Sequence, residues 1–299
     1  LNRFPVNLRR MLPNGIPSKV KDFLFLVSSR NSNALRKKSE KLHQIIGGQV
    51  SVLPPDTRHV DYEVIPLMLA DGCRYHCGFC CIKTRQKFRP RSRDNVRQQI
   101  RQLKSFYGTD LANHNALFLG NHDALAAGHE HICMAAAEAY AAFDFDKAYV
   151  KDPALFLFGS VDSLLDAGDD LFETLNRLPF YTYINIGLES VDVATLRNIQ
   201  KPLEISKIED AFQLMLAVNR SYPNLEITAN FLLGDHLSAR HYQALVELIR
   251  NRLDRYYSKG AIYLSPLNTS YDNRKLLSKF VEIKNLSRLP TYLYLIQRL

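Results

Sequence analysis

The sequence predicts an α/β fold built on a parallel sheet, with an N-terminal extension ahead of it and a shorter extension behind. Three observations predict it. The chain has 299 residues, 46% hydrophobic and 23% charged, which is enough apolar material for a large core. Between Val64 and Ser265, short apolar runs alternate with stretches of helical period, as in consecutive β/α units. Several of those runs end in a glycine flanked by polar residues, at the strand ends where parallel α/β folds gather their ligands.

Residues 1–61 form the basic N-terminal extension. It holds a strand-like run, Phe23-Leu24-Phe25-Leu26-Val27, closed by Ser28-Ser29-Arg30, and a basic helix from Ala34 to Ile46. The core spans residues 62–268. Its first strand, Val64 to Ala70, leads directly into a cysteine-rich loop. A helix from Asp94 to Phe106 follows, with Asp94 as N-cap. The strand Ala116 to Leu119 ends in Gly120-Asn121-His122-Asp123, and Asp123 is placed to cap the next turn. A helix from His129 to Phe143 precedes the strand Ala154 to Phe158, which ends in Gly159-Ser160-Val161-Asp162. The helix Ser163 to Arg177 leads to the strand Thr182 to Ile186, closed by Gly187-Leu188-Glu189-Ser190. The helix Ser206 to Arg220 and the strand Glu226 to Leu233 come next, then the helix Ala239 to Arg252 and the strand Ala261 to Ser265. Residues 269–299 are a C-terminal extension with no motif.

No run of 18 apolar residues is present, so no spanning helix is expected, and the start lacks a signal-peptide pattern. A cytoplasmic protein is expected. The chain begins at Leu1 rather than Met, so a trimmed chain or a fragment is expected. The net charge is +9, unevenly placed: 21 Lys/Arg against 7 Asp/Glu through Lys104, and 18 against 23 beyond. The densest stretch, Lys83 to Arg93, has six cations and no acid. Such a run neutralises phosphates, receives an acidic protein, or is simply a solvated loop. Phe88 is its one aromatic residue, so nothing supports a base-stacking platform, and nucleic acid stays an open substrate class.

Four of the five cysteines, Cys73, Cys77, Cys80 and Cys81, fall within nine residues. The odd count and the crowding argue against a disulfide framework and for a metal site. Cys73, Cys77 and Cys80 form C-x-x-x-C-x-x-C. Three thiolates from one short loop can reach three corners of an iron–sulfur cubane and leave the fourth iron open to an outside ligand. Gly72 and Gly78 free the backbone to wrap closely. Zinc, with His76 or Cys81 as fourth ligand, is the competing reading. Cys133, in an alanine-rich helical stretch, reads as core.

The string ADGCRYHCGFC resembles the cluster loop of the radical S-adenosylmethionine (radical SAM) superfamily. The resemblance implies a partial (β/α)6 TIM-like barrel, a 4Fe–4S cluster on Cys73, Cys77 and Cys80, and S-adenosylmethionine chelated to the open iron through its amino and carboxylate groups. It places Phe79 beside the cofactor. FLGNHDAL is similar to the segment whose backbone holds the cofactor's amino group, which implicates Gly120, Asn121 and His122. Ser160 stands at the next strand end. INIGLES resembles the oxygen-independent coproporphyrinogen oxidase-like and elongator-like branches, with Glu189 toward the methionyl or ribose part. NFLLG resembles the segment lining the adenine side, which implicates Asn230 and Leu232. The likeness spans Val64 to Leu267. Cys81 has no role in that pattern.

Each of these polar residues also has an ordinary structural reading: Glu189 as a helix N-terminal carboxylate, Asn230 as a satisfied buried amide. His129 and His131 are two apart and would not share a helix face, so no second metal is expected from the scattered histidines. The resemblance implies an electron passed from the cluster to the sulfonium of S-adenosylmethionine, release of methionine and a 5′-deoxyadenosyl radical, and hydrogen abstraction from a substrate that the sequence does not name. It implies a flavodoxin- or ferredoxin-type electron donor, which the Lys83–Arg93 stretch could dock. Two alternatives stand beside it: a cluster- and S-adenosylmethionine-binding protein without radical catalysis, and a zinc-binding, nucleic-acid-associated module.

Overall fold

The computed structural model describes residues 16–60, 63–75, 77–80, 86–267 and 273–295, without the side chains of Asn121 and Asn273. The chain forms two units, Leu1–Gln49 and Val50–Leu299.

In the first unit, helices α1 (Ser18–Ser29) and α2 (Ser32–Ile46) follow one another. The expected strand at Phe23–Val27 is therefore helix. Twelve residues without Gly or Pro, rich in Leu, Phe and Lys, start directly after Pro17, and the unit's described residues offer no strand to pair with. Asn31 caps α2 by accepting from the Ala34 N–H, and Gly47 ends it with a left-handed φ of 62°.

The second unit is built on a seven-stranded parallel sheet in the order β1 (Ile65–Leu67), β4 (Ala116–Asp123), β5 (Ala154–Gly159), β6 (Tyr181–Glu189), β7 (Leu225–Leu233), β8 (Ile262–Pro266) and β9 (Thr291–Leu293). Every pairing in it is parallel, and β1 and β9 are its two edges, so the barrel is open. Buried runs such as Leu117, Phe118, Leu119 and Leu155, Phe156, Leu157 make both sheet faces apolar, as a doubly covered parallel sheet requires. The helices α3 (Arg93–Tyr107), α4 (His129–Phe143), α5 (Val161–Leu165), α6 (Asp169–Arg177), α8 (Ile205–Ser221) and α10 (Asn273–Leu286) pack against the strands, and α7 (Val193–Asn198) and α9 (Ala239–Val246) lie between them in the chain. One sheet face is partly filled by the chain before β1: Val50, Leu53, Val60 and Val64 pack on Ala116, Phe118, Ala154 and Phe156. Val52 packs likewise with Ala261, Tyr263 and Tyr294.

Several expected boundaries move, each for a local reason. The first strand breaks at Met68, whose backbone N–H and carbonyl are both taken by the Gln99 side chain at 3.0 Å. Ala70–Asp71 (β2) instead pairs antiparallel with Arg89–Pro90 (β3). Ser92, not Asp94, caps α3, accepting from the Asn95 N–H, and Asp94 sits in the first turn. The expected helix Ser163–Arg177 splits into α5 and α6 around Gly168. The helix expected to reach Arg252 ends as α9 at Val246 and continues as one wide turn, Glu247–Asn251. The seventh strand, β9, lies in the extension that carried no motif; at three residues it is too short for periodicity to declare it. No described helix is long and apolar enough to cross a membrane.

Candidate functional site

The antiparallel pair β2–β3 closes the base of the cysteine loop. Asp71 and Arg91 lock it with a bidentate ion pair at 2.6 Å, and Cys73 bridges to Lys87. Gly72 is required here: its φ is +75°, and a Cβ would fall 2.4 Å from the Lys87 carbonyl oxygen. Between the first two cysteines, the Tyr75 hydroxyl donates to Asp162 at 2.6 Å, and Asp162 is also held by Lys207 at 2.8 Å. Arg74 bonds Asp166 at 2.7 Å. Beyond Cys77, the Gly78 N–H donates to the Ile199 carbonyl at 2.9 Å, and a Cβ on Gly78 would meet the Gln200 amide at 2.8 Å. The loop is thus tied down on both sides by residues that are not ligands.

Cys73, Cys77 and Cys80 are half-buried. Burial pushes the Cys73 and Cys77 thiols up; the charge of Lys201 opposes it, and Asp123 (on Cys73) and Glu189 (on Cys77) add to it. These five residues share one electrostatic neighbourhood at the C-terminal strand ends. Phe79 is half-buried in the same loop. Cys81 and His76 lie outside the described residues, as does the start of the basic stretch, Lys83 to Arg85.

Glu189 is neither a helix-terminal carboxylate nor solvent-facing. It ends β6 across a bulge after Gly187, holds a left-handed φ of 65°, and forms a buried ion pair with Lys201 at 3.3 Å. Lys201 Nζ also donates to the Gly187 carbonyl at 2.7 Å and lies 5.6 Å from the Tyr75 ring centroid. A Cβ on Gly187 would sit 2.4 Å from Glu189 Oε1, so glycine makes room for the carboxylate. Burial pushes the Glu189 carboxyl up, and Lys201 works against it. Lys201 was not among the sequence candidates: a single lysine before a proline carries no pattern. Next to Glu189, the buried Ser190 hydroxyl donates to His241 Nδ1 at 2.8 Å, while His241 Nε2–H donates to the Leu232 carbonyl at 3.0 Å. His241 therefore joins the ends of β6 and β7.

Asp123 does not cap the following turn. Its Oδ1 accepts from the Ser160 N–H at 3.0 Å and the Ser163 hydroxyl at 2.6 Å. Its Oδ2 is buried without a hydrogen-bond partner, with Arg74 Nε at 4.0 Å. Ser160 spends its hydroxyl capping α5. Gly120 has a φ of +86° and His122 is half-buried, its pKa lowered by burial. Asn230 and Asn185 exchange two side-chain hydrogen bonds, each amide N–H₂ donating to the other's Oδ1, at 2.5 and 3.3 Å, and Leu232 is buried. The side chain of Asn121 is not described.

The donor set fits an iron–sulfur cluster with an organic cofactor beside it. Soft thiols stand next to a buried carboxylate oxygen with no donor, and an ammonium group would satisfy it. The radical SAM family profile matches residues 67–249, more than half of the chain, and runs from the first strand past α9. The chain belongs to the radical SAM superfamily.

Radical SAM membership implies a 4Fe–4S cluster and S-adenosylmethionine. The solved structures similar to this chain include the cobalamin-dependent S-adenosylmethionine radical enzyme OxsB, with 14% identity and a TM-score of 0.43 over 62% of this chain and 26% of that one. A radical SAM methyltransferase from Sphaerobacter thermophilus has 13% identity and a TM-score of 0.46, over 77% of this chain and 65% of that one. Methylornithine synthase (PylB) has 11% identity and a TM-score of 0.45, over 87% and 74%. The chain spans about a quarter of the length of OxsB. Among curated protein sequences, none matches it.

Proposed function

We propose that this chain is a radical SAM enzyme that cleaves S-adenosylmethionine reductively and uses the product radical to take a hydrogen atom from a substrate. The observation that carries the reading is the cysteine loop, held at the strand ends with Asp123, Glu189 and Lys201 in its electrostatic reach. Cys73, Cys77 and Cys80 would hold the cluster. When bound and reduced by an external donor, the cluster would supply the one electron that cleaves a carbon–sulfur bond of S-adenosylmethionine to methionine and a 5′-deoxyadenosyl radical.

The chain's own residues bind and orient. Asp123 Oδ2 offers a buried acceptor for an ammonium group, and Lys201 offers a cation for a carboxylate. Gly120 and the end of β4 bring backbone to the same place, and the buried walls of β6 and β7 exclude water. Phe79, His122, Ser160, Glu189, Asn230 and Leu232 line the strand ends on which the cofactor would lie.

Anaerobic reconstitution followed by dithionite and S-adenosylmethionine tests it. About four irons per chain and 5′-deoxyadenosine that vanishes in Cys77→Ala support it. A cluster that never yields deoxyadenosine supports binding without radical catalysis; stoichiometric zinc and no cluster support the zinc reading. For the electron donor, Lys87 and Arg89 are exposed cations beside the loop, whereas Arg91 and Arg93 are paired with Asp71 and Glu130. Arg89→Glu is expected to slow reduction by flavodoxin and not by dithionite; equal slowing with both overturns that docking surface.

A further inference from the structure

Between its second and third cysteines the loop makes a tight turn. Cys77 and Cys80 stand at the two ends, closed by the Cys80 N–H donating to the Cys77 carbonyl at 3.4 Å, with Gly78 and Phe79 at the corners. Two groups from a distant part of the chain meet the first corner. The Ile199 carbonyl accepts the Gly78 N–H at 2.9 Å. The Gln200 amide stands so close that a Cβ on Gly78 would fall 2.8 Å from its Oε1 and 3.2 Å from its Cδ. Gly78 and Gln200 are both exposed, so burial alone does not hold this corner. Whatever fixes Gly78 fixes the spacing of the thiols on either side of it.

The backbone at Gln200 is exceptional. Helix α7 ends in a Schellman motif, in which the Gln200 N–H donates to the Arg197 carbonyl at 3.1 Å and the Lys201 N–H to the Leu196 carbonyl at 3.0 Å. That motif needs a left-handed residue, and Gln200 supplies it with a φ of 54°. Glycine fills such a position without steric cost, whereas the Cβ of a glutamine is strained there. The position thus carries a side chain against its own backbone preference, and that side chain is the one lying over Gly78.

The same turn directs its neighbours. Lys201 turns back to the Gly187 carbonyl at 2.7 Å and to Glu189 at 3.3 Å, and its Nζ lies 5.6 Å from the ring centroid of Tyr75, between the first two cysteines. Three consecutive residues, Ile199 to Lys201, therefore reach the loop on both sides of Cys77 and tie it to the end of β6.

We propose that Gln200 is a positioning residue: its amide, aimed by the left-handed turn, keeps Cys77–Gly78–Phe79–Cys80 in the shape that receives the cluster. What the hold is for rests on the radical SAM reading; the hold itself does not.

The test is alkylation of the full-length, cluster-free, reduced chain with iodoacetamide, the rate read at each cysteine by mass spectrometry. Gln200→Gly relaxes the backbone and removes the amide. Cys77 and Cys80 are expected to react at least about threefold faster in it. Cys133, on α4, should keep its rate, and the urea midpoint should stay level or rise. Gln200→Asn tolerates the left-handed conformation but carries a shorter side chain, and should match Gln200→Gly at both cysteines. After anaerobic reconstitution, both variants should lose iron to a chelator faster than the unsubstituted chain, followed by absorbance. Unchanged rates at Cys77 and Cys80 in either variant overturn the proposal. A lower urea midpoint with Cys133 also faster overturns it by making Gln200 a residue of the fold. Faster alkylation with unchanged iron loss overturns it by separating the hold from the cluster. An unsubstituted chain that takes up no iron counts against the radical SAM reading, and the alkylation rates still judge the hold.

Discussion

Lys201→Met removes the cation from a buried pair in which the lysine side chain is 5% exposed and the glutamate 10%. Two interactions go, the 3.3 Å contact with Glu189 and the 2.7 Å bond to the Gly187 carbonyl. Glu189 is then left in a low-dielectric site and escapes by taking up a proton. From its ordinary value of 4.5, staying neutral at pH 7 costs about 2.5 pH units, or about 3.4 kcal/mol. That agrees with the about 3–5 kcal/mol expected when one partner of a buried pair is removed. At pH 5 the same calculation gives about 0.7 kcal/mol. A carboxyl whose folded pKa is raised binds more protons folded than unfolded, so the variant loses stability as pH rises above 4.5. Urea unfolding of the cluster-free chain at pH 5 and pH 7 measures this, with Lys201→Met/Glu189→Gln as the cycle partner. The double variant should lose most of the pH dependence. A single variant equally destabilised at both pH values, or by less than about 1 kcal/mol at pH 7, would refute the reasoning.

Gly187→Ala should force Glu189 off its position, costing about 1–3 kcal/mol and raising the KM for S-adenosylmethionine; an unchanged KM would separate that carboxylate from the cofactor. His241 is buried neutral and its pKa is lowered, so the stability it protects is present above about 6.5 and lost as pH falls below it. His241→Asn should flatten the decline in Tm between pH 7 and 5 by about one proton's slope, and an unchanged slope contradicts the neutral latch. Tyr75→Phe removes the bond to Asp162 at the half-exposed rim of the loop; about 1 kcal/mol of stability and slower iron uptake on reconstitution are expected. Iron uptake at the original rate would show that the clamp does not prepare the loop.

The core was legible because parallel strands buried on both faces write themselves as apolar runs, and each run from Ala116 to Ser265 became a strand with its end within a few residues. The cysteine loop was legible because its three thiols come from one short segment. What failed had weak local signals. Phe23–Val27 has the composition of either element, and only the absence of a partner strand settles it. Met68 gives no hint that the Gln99 amide, 31 residues on, will interrupt its strand. The three-residue β9 is too short for alternation to speak.

The sequence by itself determined the family, the strand–helix order of the core and the spacing of the cysteines, because each is set by contacts within one segment or by spacing along it. The tertiary structure alone decided which charges face those cysteines. Lys201 reaches Glu189 across a short helix, Asp123 turns to Ser160 and Ser163 on another strand, and His241 joins two strand ends. Arg58 finds Tyr263 from 205 residues away. Such pairings depend on which inward-facing side chains the sheet's register brings level, and a single strand carries no record of its neighbour's register.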